Sequence, residues 1–486
     1  ALDEHTLEFN ATQYNKRWAL EWGGMAPLPM HQWTQIMAEL EERAAKENKT
    51  ASPLDVNFID KPGEYITSGP FLYDSYKEGE WFFFRTRDDY WKPEFKPQIA
   101  GILYILVNDP TAVVTRFFTG ELDCIEVSLD NIDVVVAGSP GVNVKVWKFP
   151  IPSATEYLAI NTRLYPLNIT EVRRAIDLAI DKIKIAQKYF LGYATPANRS
   201  LVNFDLMPKA YVPEAVWPGF TKTHAQCVAE ANQILDSLGF LDTNGDGVRE
   251  TPDGKPLEFT YIVQTLFNFR INAAEEITKN LAEIGIKVTV QAPDMLTGFV
   301  QVFFAANKTF GFFQGTYGEY PDAWYCQIYN FLLPPVGLSL TMATGYENPE
   351  LDILSENAIR SMTDSDFYGN LTEHIKIFAQ DLPVIPICFY QMQMFAYRED
   401  KLVNWNWDAC AVTNAFGYPM PIRPLLVNML IPVSNVLEKA GISIGEQAAG
   451  AGGLTTQQLL IIVAVIVVVV IAISAYVIKR SKKTSG

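Results

Sequence analysis

In "GTYGEYPDAWYCQIYNF" the aromatics Tyr317, Tyr320, Trp324, Tyr325 and Tyr329 crowd the carboxylates Glu319 and Asp322 among Gly315, Gly318 and Pro321. Glycine and proline make this a loop, and loops on a rigid scaffold are where binding groups gather. The plainer alternative gives the rings to the core and the carboxylates to water. In "DTNGDGVRETPD" oxygen side chains recur at Asp242, Asn244 and Asp246 with Gly247 next, the spacing of the first half of an EF-hand loop. Val248 offers a carbonyl, and Glu250 or Asp253 completes the shell, so Ca2+ in a structural role is the expected cofactor; a metal-free Asp/Asn/Gly turn is the alternative. A third set, Trp405 and Trp407 in "NWNWDAC" with Tyr390, Phe395 and Tyr397, suits either stacking on the C–H faces of sugars or one buried side of a strand.

Catalysis finds little support, and the chain reads as a non-enzyme. The four histidines, His5, His31, His224 and His374, are not paired with cysteine or one another at ligand spacing. No Walker or G-x-G-x-x-G stretch occurs. The five cysteines lack C-x-x-C spacing, which argues against a zinc site or a dense disulfide framework.

The elements that must position these groups alternate between strand and helix. "WFFFRTRD", "AGILYILV" and "VNVKVWKF" predict strands, and "DPTAVVTRFFTGELD" a helix closing at Gly120. "TEVRRAIDLAIDKIKIAQKYF" predicts a helix with Val172, Ala175, Ile176, Ala179, Ile180 and Ile183 on one face and Gly192 as its stop. "HAQCVAEANQILDSLGF" reads as a helix, "LEFTYIVQ" as a strand, "NAAEEITKNLAEIGI" as a helix and "KVTVQAP" as a strand. Strand, helix, strand in that order builds a crossover of a mixed α/β sheet.

The end of the chain reads differently. Leu459 to Ile478 is twenty residues without a charge, enough helix to cross a hydrocarbon core of about 30 Å. Lys479, Arg480, Lys482 and Lys483 follow and favour the cytoplasmic side, so the expectation is a single-pass membrane protein with an extracellular ectodomain. "GEQAAGAGGLTTQQ" before the span reads as a flexible tether. The net charge is −16, and with those four cations in the tail the remainder carries −20, which argues against nucleic acid as a partner. Asn-x-Ser/Thr triplets at Asn10, Asn48, Asn168, Asn198, Asn307 and Asn370 are candidate glycan acceptors on such a surface.

Taken in order, "SGPFLYDSYKEGEWFFFRTRDDYWKP", "FFTGELD", "EYLAINT", "EVRRAIDLAID", "GYATPA", "LDTNGDGVRETPDGKPLEF", "GYENPELD" and "DLPVIPICF" resemble the solute-binding proteins of dipeptide, oligopeptide and nickel ABC importers, family 5. The resemblance covers nearly all of residues 1–425. It implies a large, class II type two-lobed periplasmic-binding-protein-like α/β fold that closes by hinge motion over a ligand and delivers it to an ABC permease. The implied organisation is residues 1–60 as remnant of a small extra domain and entry to lobe I, 61–154 as lobe I, 155–410 as lobe II and 411–430 as return to lobe I. A linker over 431–458, the transmembrane helix over 459–478 and a basic tail over 479–486 follow. Crossings between lobes are expected near Ala154–Leu158 and Trp405–Val412.

In oligopeptide-binding relatives the loop matching 315–331 supplies an acid to the ligand's α-amino group, and Glu319 is the residue that aligns. The implied contact set is Glu319, Tyr317, Tyr320, Asp322, Trp324, Trp405 and Trp407. The arginine that some relatives carry just before this loop is missing from "FGFFQG", which keeps an oligosaccharide open as alternative ligand, and a structural cell-surface coat as a second alternative. An anchor at the C-terminus with triplets outside resembles archaeal members. Nothing here matches the family's long opening segment, so its N-terminal portion is expected as a separate associated polypeptide.

Overall fold

The structure, a computed structural model, describes residues 13–16, 30–46, 63–64, 66–107, 109–148, 152, 154–263, 267–318, 327–328, 339–391, 394–405, 411–413, 419–421 and 430–432. The expected linker, span and tail therefore lie outside the described residues, apart from 431–432, and every other described segment belongs to the unit of residues 1–430.

After helix α1 (Met30–Lys46), strands β1 (Phe71–Lys77), β2 (Trp81–Thr86) and β3 (Gly101–Ile105) form an antiparallel meander. Two of these are the expected aromatic strands. Helix α2 (Pro110–Phe118) starts where Asp109 accepts hydrogen bonds from the Thr111 and Ala112 amides, and it is followed by Gly120 at φ +83°; capping acid, early proline and left-handed glycine are each where a helix needs them. Strand β4 (Cys124–Val127), helix α3 (Ile132–Ala137) and strand β5 (Val144–Lys148) come next.

The chain then builds a second, six-stranded sheet in the order β7–β11–β6–β10–β8–β9. Its strands are β6 (Ala154–Ile160), β7 (Ala194–Pro196), β8 (Glu258–Val263), β9 (Lys287–Gln291), β10 (Phe312–Gly318) and β11 (Val384–Tyr390). Strands β6 and β11 sit inside the sheet and are buried at all seven positions, which is why "ATEYLAI" and "VIPICFY" run apolar without alternation. Pro386 cannot donate to a ladder, and the register slips between Pro386 and Cys388.

Around this sheet stand α4 (Thr170–Ala179), α5 (Lys182–Lys188), α6 (His224–Ser237), α7 (Asn268–Ala282), α8 (Met295–Phe299), α9 (Leu340–Thr344), α10 (Pro349–Arg360) and α11 (Asp364–Asp381). Helix α6 begins with a reciprocal capping box between Thr223 and Gln226. The β8–α7–β9 unit is the predicted crossover, with β8 and β9 parallel.

Two expectations need correction. The stretch from Thr170 is two helices, not one: Ile180 is extended and Asp181 caps a new helix through the Lys184 amide. The apolar face therefore shifts, and Ile185 and Ala186 are buried where Ile183 was expected. The second crossing also falls earlier. Strand β12 (Met394–Arg398) pairs with both β4 and β5, so the chain leaves the six-stranded sheet between Tyr390 and Met394 rather than near Trp405–Val412. The first passage, between Lys148 and Ala154, ends where the first crossing was expected to begin. One continuous core then runs from Phe117, Ile132 and Val135 to Leu158, Tyr261, Ile277 and Ile387, each such side chain contributing about 1.5–3 kcal/mol on burial.

Candidate functional site

Strand register sets the geometry. Strand β10 runs antiparallel to β6 with Tyr317 opposite Thr155 and Gly318 opposite Ala154, and β11 runs antiparallel to β6 with Tyr390 opposite Ala154. The start of β6, the end of β10 and the end of β11 thus lie side by side at one edge of the sheet. Both passages to the β4–β12–β5 sheet leave from this edge, and β10 ends here immediately before Glu319. Glu319, Tyr320, Asp322, Trp324 and Trp407 lie outside the described residues. Tyr317 is described: half-buried, its ring stacks on Tyr157 at 5.3 Å and 21°. Gly315 is required beside it, since a Cβ there would stand 2.5 Å from Tyr157 Oη.

Directly beneath this edge is a buried polar network. Arg270, on the first turn of α7, donates from Nε to Glu156 Oε1 at 2.8 Å, from Nη2 to Glu156 Oε2 at 3.1 Å and from Nη2 to the Tyr390 hydroxyl at 3.2 Å. Gln314 Nε2 donates to Glu156 Oε1 at 2.7 Å, and Tyr261 donates to Gln314 Oε1 at 2.6 Å. Thr316 and Tyr390 share a hydroxyl contact at 3.1 Å. Burial pushes the Glu156 carboxyl above the ordinary carboxylate range while Arg270 pulls it back. Burial works equally to lower Arg270, but Glu156 and Tyr390 outweigh it and hold the guanidinium above its ordinary value. The forked pairing and the extra amide are what a buried ion pair needs to offset desolvation. The network joins β6, β8, β10, β11 and α7 just behind the strand ends, so it holds the base of the candidate loop. Sequence reading missed it; the one cue was a glutamate in the otherwise apolar "ATEYLAI".

The calcium-type loop is a separate place. Carboxylate oxygens of Asp242, Asp246 and Glu250 lie within 4.8 Å of one another. Of the two residues offered to close the shell, Glu250 is the one brought in. It accepts from the Thr243 amide, the Thr243 hydroxyl and the Asn244 side chain, each at 2.8 Å. Asp253 instead accepts from Thr251 at 2.6 Å and pairs with Lys255. The Val248 amide donates to Asp246, and Gly245 and Gly247 take φ of +79° and +87°, which glycine alone adopts at little cost. Asn244 turns its amide nitrogen to Glu250 while its Oδ1 accepts from the Asp246 amide, so the hard oxygen set offered to Ca2+ is the three carboxylates.

The other candidate aromatics fall into two groups. Trp405 lies 5.1 Å from Tyr397, donates from Nε1 to Leu402 O at 2.9 Å and joins a small cluster with Phe395 and Trp147. Tyr390 belongs to the buried network. Among the glycan candidates, Asn168 and Asn307 are exposed. Asn198 is half-buried with its Oδ1 accepting from the Trp217 amide, and Asn370 donates to Asp366 O inside α11. Asn10 and Asn48 lie outside the described residues.

Comparison with known proteins places this geometry. Residues 1–331 match the family described as bacterial extracellular solute-binding proteins, family 5 Middle. The chain is 22% identical over 418 residues to a probable ABC transporter periplasmic-binding protein, SapA, of Escherichia coli, covering 82% of this chain and 65% of that protein. It is 25% identical over 331 residues to the oligopeptide-binding protein AppA of Bacillus subtilis, covering 65% of this chain and 55% of AppA. The chain thus spans under two thirds of the length of these relatives. The AppA structure in complex with a nonapeptide superposes with a TM-score of 0.62 at 20% identity, covering 87% of this chain and 75% of AppA. A periplasmic oligopeptide-binding protein of Thermotoga maritima with bound mannohexaose superposes with a TM-score of 0.64 at 22% identity, covering 86% and 76%. The fold is that of the two-lobed α/β periplasmic binding proteins. Among the described residues no helix is long and apolar enough to cross a membrane.

Proposed function

The chain belongs to the extracellular solute-binding proteins of family 5, and from that premise we propose that it is the receptor of an ABC importer, capturing oligopeptides and passing them to a membrane permease. The family supplies transporters with a binding component rather than a catalyst. One observation carries the reading: the strand entering the carboxylate-and-aromatic loop ends at the same sheet edge from which both inter-sheet passages leave. That edge is where the chain passes between the two sheets, and a carboxylate such as Glu319, once a ligand covers it, selects for a ligand ammonium because a neutral ligand leaves its charge unpaired.

An oligosaccharide is the second reading. Tyr317 and its neighbours supply stacking faces, and a structural neighbour holds mannohexaose. A coat protein needs no such loop and is the weakest of the three. Further proposals attach to the receptor: Leu459–Ile478 anchors it in an archaeal-type arrangement, glycans sit first at the exposed Asn168 and Asn307, and Ca2+ bound by Asp242, Asp246 and Glu250 braces its loop.

A thermal-shift screen with mixed peptides and with malto-, cello- and manno-oligosaccharides tests the proposal, since a ligand of the native state raises Tm by mass action. A shift with peptides, lost in Glu319→Gln, is the expected result. A shift with sugars alone, indifferent to Glu319→Gln, replaces it with the second reading, and no shift at all favours the coat.

A further inference from the structure

Helix α7 begins without a cap of its own. Phe267 stands at its N-cap in extended conformation and offers no side-chain acceptor, although the first amides of a helix need partners. Asp130 provides them from far away in the chain: Oδ2 accepts from Asn268 N at 3.0 Å and Oδ1 from Phe269 N at 2.9 Å. A carboxylate spread over two amides at the positive end of a helix is a favourable, directional contact.

The topology gives this cap its significance. Asp130 sits between β4 and α3, on the part of the chain whose strands form the β4–β12–β5 sheet, whereas α7 belongs to the continuous stretch 154–390 that builds the six-stranded sheet. The Asp130 backbone is held by the burial of its neighbours Leu129 and Ile132, which are 4% and 0% exposed, and by the Ser128 amide donating to Asn131 Oδ1 at 3.0 Å. On the other side the contact lands one residue before Arg270. That arginine grips Glu156, near the start of the strand entered at the first passage, and Tyr390, the last residue before the second. Apolar core contacts between the two sides are non-directional, whereas hydrogen bonds to a fixed carboxylate select one geometry.

We infer that Asp130 is a positioning residue that clamps the two halves of the receptor, tying their mutual orientation to the Arg270–Glu156–Tyr390 network under the candidate ligand loop. The inference deepens the receptor reading and rests on it for its purpose: a protein that exchanges two lobe orientations needs contacts made in one and broken in the other. The two bonds to α7 favour the orientation in which they form, so Asp130 biases how readily the halves part and thereby the apparent affinity for solute.

The test uses the full chain without ligand. Nitroxides on keto amino acids at Asn143, beside β5, and Glu275, on α7, avoid the native cysteines, and double electron–electron resonance reads the distance between halves. Both positions are exposed. Wild type is expected to give one narrow peak. Asp130→Ala is expected to broaden or split it, with the population outside the main peak rising about fivefold, the scale of a lost helix cap. Asp133→Ala, removing the neighbouring exposed acid, is expected to leave the wild-type peak. Hydrogen exchange at 268–271 separates clamping from plain capping: faster exchange in Asp130→Ala with an unchanged distance distribution overturns the inference, as does equal broadening in Asp133→Ala. Because no solute is present, either outcome leaves the receptor reading standing, and failure of every solute to bind leaves the distance result standing.

Discussion

Replacing Arg270 with methionine strands a buried charge, and the consequence can be worked from the site. Arg270 is 1% exposed and Glu156 fully buried. Methionine keeps much of the apolar stem but removes the guanidinium bonds to Glu156 at 2.8 and 3.1 Å and to Tyr390 at 3.2 Å, leaving Glu156 with the Gln314 amide. Breaking a buried pair from one side costs about 3–5 kcal/mol, a large part of a total stability on the order of 5–15 kcal/mol. Urea denaturation followed by tryptophan fluorescence should show the midpoint falling accordingly. The double variant Glu156→Gln with Arg270→Met removes both charges and should recover most of the loss. The pH dependence has a definite sign. Burial already pushes Glu156 up, and without Arg270 nothing comparable pulls it back. Its folded pKa then lies further above the unfolded one, the folded state holds the proton across that window, and the variant's deficit shrinks as pH falls through it. A deficit below about 1 kcal/mol, one that does not change with pH, or a double variant no more stable than the single one, refutes the network's assigned role.

Two other predictions are independent of that pair. His374 is fully buried, and burial pushes its pKa down from 6.5 to about 3; it stays neutral when folded while the unfolded chain protonates, so stability present above the unfolded value is lost at about 1.4 kcal/mol per pH unit as pH falls below it. Urea midpoints from pH 7 to 4.5 should slope more steeply in wild type than in His374→Gln, and equal slopes contradict the assignment. At the calcium-type loop, Ca2+ should raise Tm and EDTA should reverse it in wild type, with neither effect in Glu250→Ala. That variant should also start about 1–3 kcal/mol less stable, because three donors lose their acceptor; a Ca2+ response that survives the substitution removes Glu250 from the site.

Local structure was legible where the information is local. The helix closing at Gly120 and the strand–helix–strand order around α7 announce themselves within short stretches, and the structure keeps them. The break at Asp181 was missed because the apolar period runs through it, while the same residue type that suits a helix surface also caps a new helix. The second crossing, carried over from the family resemblance, was placed too late because the membership of β12 in the β4–β12–β5 sheet depends on pairing with strands far earlier in sequence. The network and the clamp were invisible for the same reason: Glu156 and Arg270 are 114 positions apart, and Asp130 and Asn268 are 138 apart. A charge inside a buried strand says that a partner exists without saying which. Of the candidate contact residues, only Tyr317 and Trp405 fall in described segments; Tyr317 stands at the loop's base, and Trp405 belongs to an aromatic cluster of its own.

Solution scattering with and without the solute that raises Tm most, paired with mass spectrometry of the recovered solute, tests the receptor account most directly. The account predicts a smaller radius of gyration on saturation and a solute returned with its mass unchanged. Superimposable profiles under saturating solute, or a solute recovered cleaved or modified, would contradict it.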